Sequence, residues 1–219
     1  MTTRHSFHEQ LAELQRDLLR MGIFVSEAIE KAVQSLARLD IPLAQQVIEG
    51  DDTVDQMLID IEKRCLQLMA LQQPMAGDLR SIGTALKIVT DLERMADHAT
   101  DIAKITLRLE GERLIRELVH IPRMARRVQE MTREALEAFI HKDVERARRM
   151  ITMDDEIDAA YKQIFDEVLV IMQTQPQFVR QVTYLLLVAM YLERVGDHAT
   201  NLGEWTIYMV TGELKDLNP

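Results

Sequence analysis

The chain has 219 residues, of which 47% are apolar, and a formal net charge of −10 at pH 7. This excess of acidic residues disfavours binding to nucleic acids and electrostatic adhesion to anionic membranes. The most apolar run, Val182–Leu192, is much shorter than the roughly 20 residues of a membrane-spanning helix. The N-terminus has no apolar segment typical of a signal peptide, and the single cysteine, Cys65, has no partner for an internal disulfide. These features predict a cytoplasmic protein with no segment inserted in a membrane.

The spacing of apolar residues predicts three helices in the first half of the chain. The first runs from about residue 7 to residue 39, with apolar residues at alternating steps of three and four. It ends before Pro42, because proline disfavours helix at the preceding residue. The second covers about residues 42–73, and the third covers about residues 78–109 with Asp78 as its expected N-cap.

The pattern breaks at Glu110-Gly111-Glu112, where we place the boundary between a domain of residues 1–110 and one of residues 111–219. The second half is predicted to form helices at about residues 114–141, 143–173 and 178–210. Long helices with short connections pack as antiparallel neighbours. The predicted fold is therefore all-α, with two tandem, pseudo-symmetric three-helix bundles. The broad apolar faces of the third and sixth helices indicate either packing inside the chain or a homodimer.

The two halves of the chain repeat each other. The acidic stretch at residues 51–55 returns at residues 154–158, and LERMADHAT at residues 92–100 returns as LERVGDHAT at residues 192–200. The offset decreases from 103 to 100 along the chain, as small insertions or deletions in turns would produce.

Each half carries a row of oxygen-bearing side chains four residues apart on its third predicted helix, which places them on one face. Like charges so placed repel each other, and the second helix of each half adds two more aspartates. In an antiparallel hairpin, residues equally distant from the turn lie at the same height, so the two acidic rows of each half converge. The candidate metal ligands are Asp51, Asp55, Glu93, Asp97 and Asp101 in the first half, and Asp154, Asp158, Glu193, Asp197 and Asn201 in the second.

Clustered carboxylates are costly to keep ionised without a counter-charge, and hard cations held by oxygen ligands remove that cost. The pattern therefore predicts Mg²⁺, Mn²⁺ or Fe at each half, with more than one ion where several carboxylates meet. The alternative is a solvated acidic face with arginines such as Arg94 and Arg194 as ion-pair partners. His98 and His198 directly follow the aspartates and point about 100° away from them on a helix. We therefore expect these histidines to lie beside the ligands or at the surface.

The sequence has no glycine-rich phosphate loop, HExxH motif or nucleophile elbow. This favours a binding or regulatory protein over an enzyme. Two alternatives stay open at this point, a metal-dependent phosphohydrolase and a purely structural helical scaffold.

The motifs GDDTVD, MDDEID, the two QP turns, LERMADHATDIA and LERVGDHATNLGE resemble those of the PhoU family over nearly the whole chain. The resemblance implies two three-helix bundles with metal clusters on their acidic faces. It also implies a cytoplasmic negative regulator that links the ATPase of the phosphate ABC transporter to a sensor histidine kinase and represses the phosphate-starvation response. The metal positions that it carries over are Glu93, Asp97, Asp101, Glu193, Asp197 and Asn201. Asn201 departs from the acidic pattern, which affects the metal count expected in the second half.

Overall fold

A computed structural model describes residues 2–72, 74–115 and 120–213 of the chain. Six long helices form the fold, and these residues contain no strand. The predicted all-α class with two tandem three-helix bundles is confirmed. The helices are α1 (Thr2–Arg38), α2 (Ile41–Gln72), α3 (Ala76–Arg108), α4 (His120–His141), the short α5 (Val144–Arg148), α6 (Met150–Thr174) and α7 (Val179–Thr211), with a 3₁₀ turn at Pro176–Phe178.

The repeat is visible in the turns that follow the first helix of each bundle. Leu39 and Lys142 both adopt the left-handed conformation, with φ of 50° and 53°. The next residue in each turn caps the following helix: Asp40 Oδ1 accepts from Leu43 N at 3.0 Å, and Asp143 Oδ1 accepts from Arg146 N at 2.9 Å. A side-chain acceptor at this position satisfies a backbone N–H that has no partner within the helix. The two bundles therefore enter their second helices by the same local geometry.

The third helix begins at Ala76, so the prediction of Asp78 as its N-cap is wrong. Met75 stands before the helix in an extended conformation, and its carbonyl accepts from Leu79 N at 2.8 Å. Asp78 lies in the first turn instead, where its negative charge faces the positive end of the helix dipole.

The predicted helix start at Leu114 is also wrong, because Leu114 and Ile115 are not helical. The buried side chain of Gln181 binds this connection: Ile115 N donates to Gln181 Oε1 at 2.6 Å, and Gln181 Nε2 donates to the carbonyl of Arg113 at 3.2 Å. The backbone there is thus held against α7 in a non-helical conformation. Residues 116–119 of the predicted helix lie outside the described residues.

The fifth predicted helix is interrupted at Arg149, which separates α5 from α6. Gly203 of α7 passes close to this break. A Cβ atom there would lie 2.9 Å from Met150 Cγ and 3.1 Å from the carbonyl oxygen of Ala147. Only a glycine lets the α7 backbone approach so closely without displacing its neighbours.

The two bundles join along α3 and α7, which pack antiparallel to each other. Near the N-terminus of α7, Arg180 donates to the carbonyl of Arg108 at the end of α3, at 3.0 Å. At the opposite end, the Arg80 guanidinium lies against Gly212. One continuous apolar core runs through both bundles and contains the buried faces of both central helices. Packing inside the chain therefore accounts for the broad apolar faces.

Candidate functional site

The first acidic site lies where α2 packs against α3, and it consists of Asp51, Asp55, Glu93 and Asp97. Burial and the nearby Asp97 raise the pKa of Asp51 above its ordinary value. Burial and Asp97 likewise raise the pKa of Glu93, which Arg94 opposes, and Asp55 contributes to the raised pKa of both carboxyls. The structure thus brings together four of the five side chains predicted for this half.

The second acidic site consists of Asp154, Asp158, Glu193 and Asp197, where α6 packs against α7. Burial, followed by the charges of Asp158 and Asp197, raises the pKa of Asp154 to about 6. Burial and Asp197 raise the pKa of Glu193 to about 7. Burial is also the largest cause of the raised pKa values of Asp158 and Asp197. Four of the five predicted side chains meet here as well, and the pKa values of Asp154 and Glu193 are raised the most.

A buried threonine supports each site from the last turn of the repeated motif. The side chain of Thr100 hydrogen-bonds Asp51 and that of Thr200 hydrogen-bonds Asp154, and each bond lowers the pKa of its carboxyl. Both threonines are almost fully buried. The sequence analysis did not assign a role to these threonines, although the threonine shared by the two DHAT sequences could have indicated one.

The fifth predicted position of each half belongs to a different neighbourhood. Asp101 Oδ1 pairs with Lys104 Nζ at 3.4 Å. Asn201 Nδ2 donates to Asp91 Oδ1 at 3.1 Å, across the junction between the two bundles. The same Asp91 oxygen lies 2.9 Å from His198 Nδ1. The two equivalent positions, acid in one repeat and amide in the other, therefore have different partners.

A cleft of about 1030 Å³ lies between α3 and α7 and connects the surroundings of the two sites. One aspartate of each acidic site, Asp97 and Asp197, lines it together with both fifth-position side chains. Glu204, one turn beyond Asn201, also lines the cleft. The remaining lining residues are Arg94, His98, Lys104, Arg194, His198 and Thr200.

The two histidines of the repeat meet in this cleft but differ in their surroundings. Their ring centres are 5.8 Å apart. His98 is buried and stacks on Tyr191 at 5.6 Å between ring centres. Burial, then the charges of His198 and Arg194, lower its pKa to about 4, so His98 is neutral at physiological pH. His198 is more exposed and pairs with Asp91. We expected these histidines beside the ligands or at the surface; both line the cleft together with Asp97 and Asp197, and His98 is buried.

Comparison with known proteins resolves the family. The family model described as PhoU domain matches the chain twice, at residues 18–106 and 121–206. The chain belongs to the PhoU family. Among curated proteins it is 42% identical to a phosphate-specific transport system accessory protein PhoU homolog of Clostridium acetobutylicum, over 99% of each chain. It is 39% identical to the homolog so named in Aquifex aeolicus, over 94% of this chain and 93% of the relative.

Solved PhoU structures have the same fold. The crystal structure of PhoU from Pseudomonas aeruginosa superposes with a TM-score of 0.90 at 37% identity, covering 94% of this chain and 100% of that one. The phosphate transport system regulatory protein PhoU from Streptococcus pneumoniae also gives a TM-score of 0.90, at 32% identity and with 96% and 99% coverage. None of the helices in the residues described here combines the length and hydropathy that a bilayer crossing requires.

The donor set of each PhoU repeat fits a hard cation in its chemistry, since carboxylate oxygens are the ligands that Mg²⁺, Mn²⁺ and Fe accept. Neighbouring carboxyls contribute to the raised pKa of Glu93 and of Glu193. This repulsion is an electrostatic cost that a bound cation would remove. In the part of the chain that the structure describes, no three Asp, Glu, His or Cys side chains already converge as one ion would require. Binding would therefore require the carboxylates to rotate toward a common centre.

Arginine is the competing counter-charge in the first acidic site. Arg94 lies 2.9 Å from Asp97 and 3.4 Å from Glu93, and its own side chain is largely exposed. Exposed ion pairs of this kind contribute little to stability. Arg94 therefore compensates part of the negative charge in this PhoU repeat and leaves Asp51 and Asp55 for another partner. The two interpretations, a solvated acidic face and a metal site, thus differ in which positive charge neutralises the carboxylates of Asp51 and Asp55 on α2.

Proposed function

We infer that this protein is an accessory component of a phosphate-specific transport system. Family membership over nearly the whole chain supports this inference, as do relatives that carry this name at about 40% identity. These relatives are named as accessory proteins and not as enzymes, which favours a binding role. One structural observation supports a more specific role. In both repeats the acidic motif of one helix, α3 or α7, packs against a second acidic helix, α2 or α6.

In the proposed mechanism the protein acts in the cytoplasm as a negative regulator of phosphate uptake and of the phosphate-starvation response. It couples the ATPase of the phosphate transporter to a sensor histidine kinase. The carboxylates of the two acidic sites would hold Fe, Mn or Mg ions, which would supply the positive charge that neutralises them, and these faces with the adjoining helices form the docking surface. Binding of the partner then shifts the kinase toward its inactive state. Asp97 and Asp197 support this scheme because each belongs to an acidic site and also lines the cleft between the repeats.

The experiment that tests this function is complementation in a strain of the source organism that lacks the gene. We expect a phosphate-starvation promoter to be active at high phosphate in that strain and to be repressed again by the wild-type chain. Asp97→Ala with Asp197→Ala should fail to restore repression, because each acidic site loses a carboxylate.

A matched control removes two carboxylates elsewhere. Asp60 and Glu145 are exposed, and each contacts a residue of its own helix, Gln56 at 3.2 Å and Arg148 at 2.9 Å. Asp60→Ala with Glu145→Ala should restore repression fully at equal protein level. Repression by the Asp97/Asp197 variant equal to that of the wild type would contradict the role of the acidic sites. Absence of any promoter response to the deletion would contradict the regulatory role itself.

A metal-dependent phosphohydrolase is the alternative from a different class. It predicts turnover of phosphate esters by purified protein in Mn²⁺, and loss of that turnover in Asp97→Ala with Asp197→Ala. A scaffold without metal predicts neither turnover nor metal uptake. Assay of the wild type with p-nitrophenyl phosphate, together with elemental analysis, separates the three functions.

A further inference from the structure

A groove of about 730 Å³ runs between α1 and α4, the first helices of the two repeats. One part of its lining is apolar and consists of Leu19, Ile23, Leu136 and Ile140. Ile23 is 51% exposed although it lines the groove together with other apolar side chains. Apolar side chains that adjoin at a surface mark a contact site for another apolar surface, whereas scattered ones do not.

The other part of the lining carries opposite charges on its two sides. These charged side chains are Glu27 and Glu30 on α1, and Arg126 and Arg133 on α4. Glu27 lies 3.7 Å from Lys31 of its own helix, an exposed ion pair of the kind that contributes little. Glu30 accepts from Gln34 at 2.9 Å. Among the residues whose side chains the structure describes, no carboxylate forms an ion pair with either of the two arginines.

Two further carboxylates of the groove already have arginine partners on their own repeat. Glu130 Oε2 lies 3.0 Å from Arg127 Nη1, and Glu137 Oε2 lies 3.3 Å from Arg146 Nη1. The charges that remain for a partner are therefore acidic on the α1 side of the groove and basic on the α4 side.

The two helices of the groove run antiparallel. Ser35 Oγ lies 3.1 Å from Thr106 Oγ1, and both residues stand near the C-terminal ends of their helices, so α1 runs in the same direction as α3. The repeat gives α4 the same relation to α7. Because α3 and α7 are antiparallel, α1 and α4 are antiparallel as well.

The contact between Gly22 and Leu136 sets the heights of the lining residues. A Cβ atom on Gly22 would lie 2.6 Å from Leu136 Cδ2, so these two residues are level. Counting away from them in opposite directions, at about 1.5 Å per residue, separates an apolar end of the groove from a charged end. The oppositely charged residues that are level to within about 3 Å are Glu27 with Arg133, and Glu30 with Arg126.

A second copy of this face complements the first in one orientation. Rotation by 180° about an axis parallel to the helices sets α1 of one copy on α4 of the other, with every residue at unchanged height. The apolar ends then meet each other, and each acidic side chain meets an arginine of the other copy. An axis across the helices would instead set α1 on α1 and α4 on α4, so that like charges would meet at a cost.

The size of the face is sufficient for a dimer. The 22 residues of α4 span about 33 Å, and two helices lie about 8–10 Å apart, so the face is about 20 Å wide. Its area of roughly 600 Å² per copy is at the lower end of the range of stable protein interfaces.

We propose that the α1/α4 groove is the interface of a homodimer whose two-fold axis runs parallel to both helices. Glu27 and Glu30 of each copy pair with Arg133 and Arg126 of the other, and Ile23 is covered by the apolar end of the other groove. This interface does not depend on metal binding. It also differs from a dimer through α3 and α7, whose apolar faces are covered inside the chain.

Charge reversal on one side of the groove tests the proposed pairing by sedimentation equilibrium. We expect the wild type to sediment as a dimer. Arg126→Glu with Arg133→Glu makes both sides acidic, and Glu27→Arg with Glu30→Arg makes both sides basic. Each pair of substitutions is repeated by the symmetry, so each variant alone should raise the dimer Kd by about a hundredfold or more.

Mixing the two variants distinguishes a lost interface from a damaged fold. The acidic and basic faces complement each other at every charged contact, so an equimolar mixture should form heterodimers with a Kd within about tenfold of the wild type. Lys63→Glu with Arg148→Glu is the matched control, because it makes the same change in net charge at exposed positions outside the groove. It should leave the dimer Kd unchanged.

The apolar end is tested separately. Ile23→Ala should raise the dimer Kd by about ten- to a hundredfold, because each dimer loses two buried side chains. Ile59→Ala is its control, since Ile59 is 54% exposed on α2, and it should have no effect on the Kd.

Three results would overturn the inference. A wild type that stays monomeric at 100 μM, a concentration chosen for the test, would leave the groove to a helix of a different protein. Charge-reversed variants that dimerise as well as the wild type would place the dimer contact elsewhere on the surface. A mixture of the two variants that stays monomeric, although both have the circular dichroism of the wild type, would contradict the pairing of acids with arginines.

Discussion

The two acidic sites share one motif and differ in how their charge is balanced. In the first, Arg94 reaches both Glu93 and Asp97. In the second, burial and neighbouring carboxyls raise the pKa of Glu193 to about 7 and that of Asp154 to about 6. Arg194 opposes the rise in the pKa of Glu193 as Arg94 does for Glu93. The two sites therefore differ in how strongly burial and neighbouring carboxyls disfavour ionisation. The difference teaches that the motif places the carboxylates, whereas their surroundings determine how strongly they require a cation.

Metal loading should show this difference most clearly. A ligand at 100 times its Kd stabilises the folded state by about 2.7 kcal/mol, which corresponds to a rise of roughly 5–10 °C in Tm for a chain of this length. We expect Mn²⁺ to raise the Tm of the wild type on this scale. Glu193→Ala with Asp197→Ala should lose more of the rise than Glu93→Ala with Asp97→Ala. Differential scanning calorimetry with and without chelator measures both, and an equal rise in all three proteins would contradict the comparison.

The packing behind the second site is also tighter. Gly203 lies against α5 and α6, whereas the equivalent residue of the first repeat is the buried Ala103. Because a Cβ at position 203 would overlap Met150, we expect Gly203→Ala to cost about 1–3 kcal/mol of unfolding free energy. Gly83→Ala is the control, since no atom lies within 4 Å of a Cβ there, and it should stabilise by about 0.5–1 kcal/mol. Urea denaturation measures both changes, and a neutral Gly203→Ala would show that the break at Arg149 can relax.

The pH dependence of the metal-free protein separates the sites further. The pKa of Glu193 rises from 4.5 to about 7 on folding, so the folded state binds more protons than the unfolded chain between these values. Stability therefore falls as pH rises through this interval. We expect a decrease of roughly 2–4 °C in Tm, the change that about 1 kcal/mol produces.

Glu193→Gln removes this group and should flatten the profile between pH 5 and pH 7, whereas Glu93→Gln should flatten it less. Thermal unfolding in chelator across that range provides the measurement. A wild-type Tm that increases with pH over the same interval would contradict the sign of the argument.

The smallest expected effect concerns the two turns that the repeats share. A non-glycine residue in the left-handed conformation costs about 1–2 kcal/mol. Replacing it by glycine removes this cost, but part of the gain is lost because glycine has greater conformational freedom in the unfolded chain. We expect Lys142→Gly to stabilise by about 0.5–1 kcal/mol. Leu39→Gly should be neutral or destabilising, because Leu39 also packs against the core. Chemical denaturation of the two variants side by side would show whether the turns differ in this way.

The helices and the acidic pairs were predictable because both depend on local spacing. Apolar periodicity predicted six long helices, and the mirror relation within a hairpin placed Asp51 and Asp55 level with residues 93–101, and Asp154 and Asp158 level with residues 193–201. These features need only the helical repeat and a short turn. Sequence spacing is thus sufficient to predict contacts wherever the partners lie on consecutive helices.

Contacts between the two repeats could not be obtained in this way. The hydrogen bond between Asn201 and Asp91 joins residues 110 positions apart. The mirror relation within a hairpin does not predict this contact, because the two helices are not consecutive in sequence. Gln181 likewise binds a connection far away in sequence, which explains the wrong helix start at Leu114. Tertiary hydrogen bonds of this kind override the local preference for helix. The neighbours that distinguish Asp101 from Asn201 therefore became visible only in the folded chain.

The antiparallel packing of α3 on α7 also bears on how such a protein can diversify. Two identical three-helix units packed in this way would form an isologous pair, in which every contact between residues i and j occurs twice. Any change at one position would then alter both copies of the contact. Joining the units in one polypeptide removes that restriction, so residue 91 is an aspartate while its counterpart, residue 191, is a tyrosine. Covalent linkage thus allows one half to acquire a specialised neighbour without imposing it on the other.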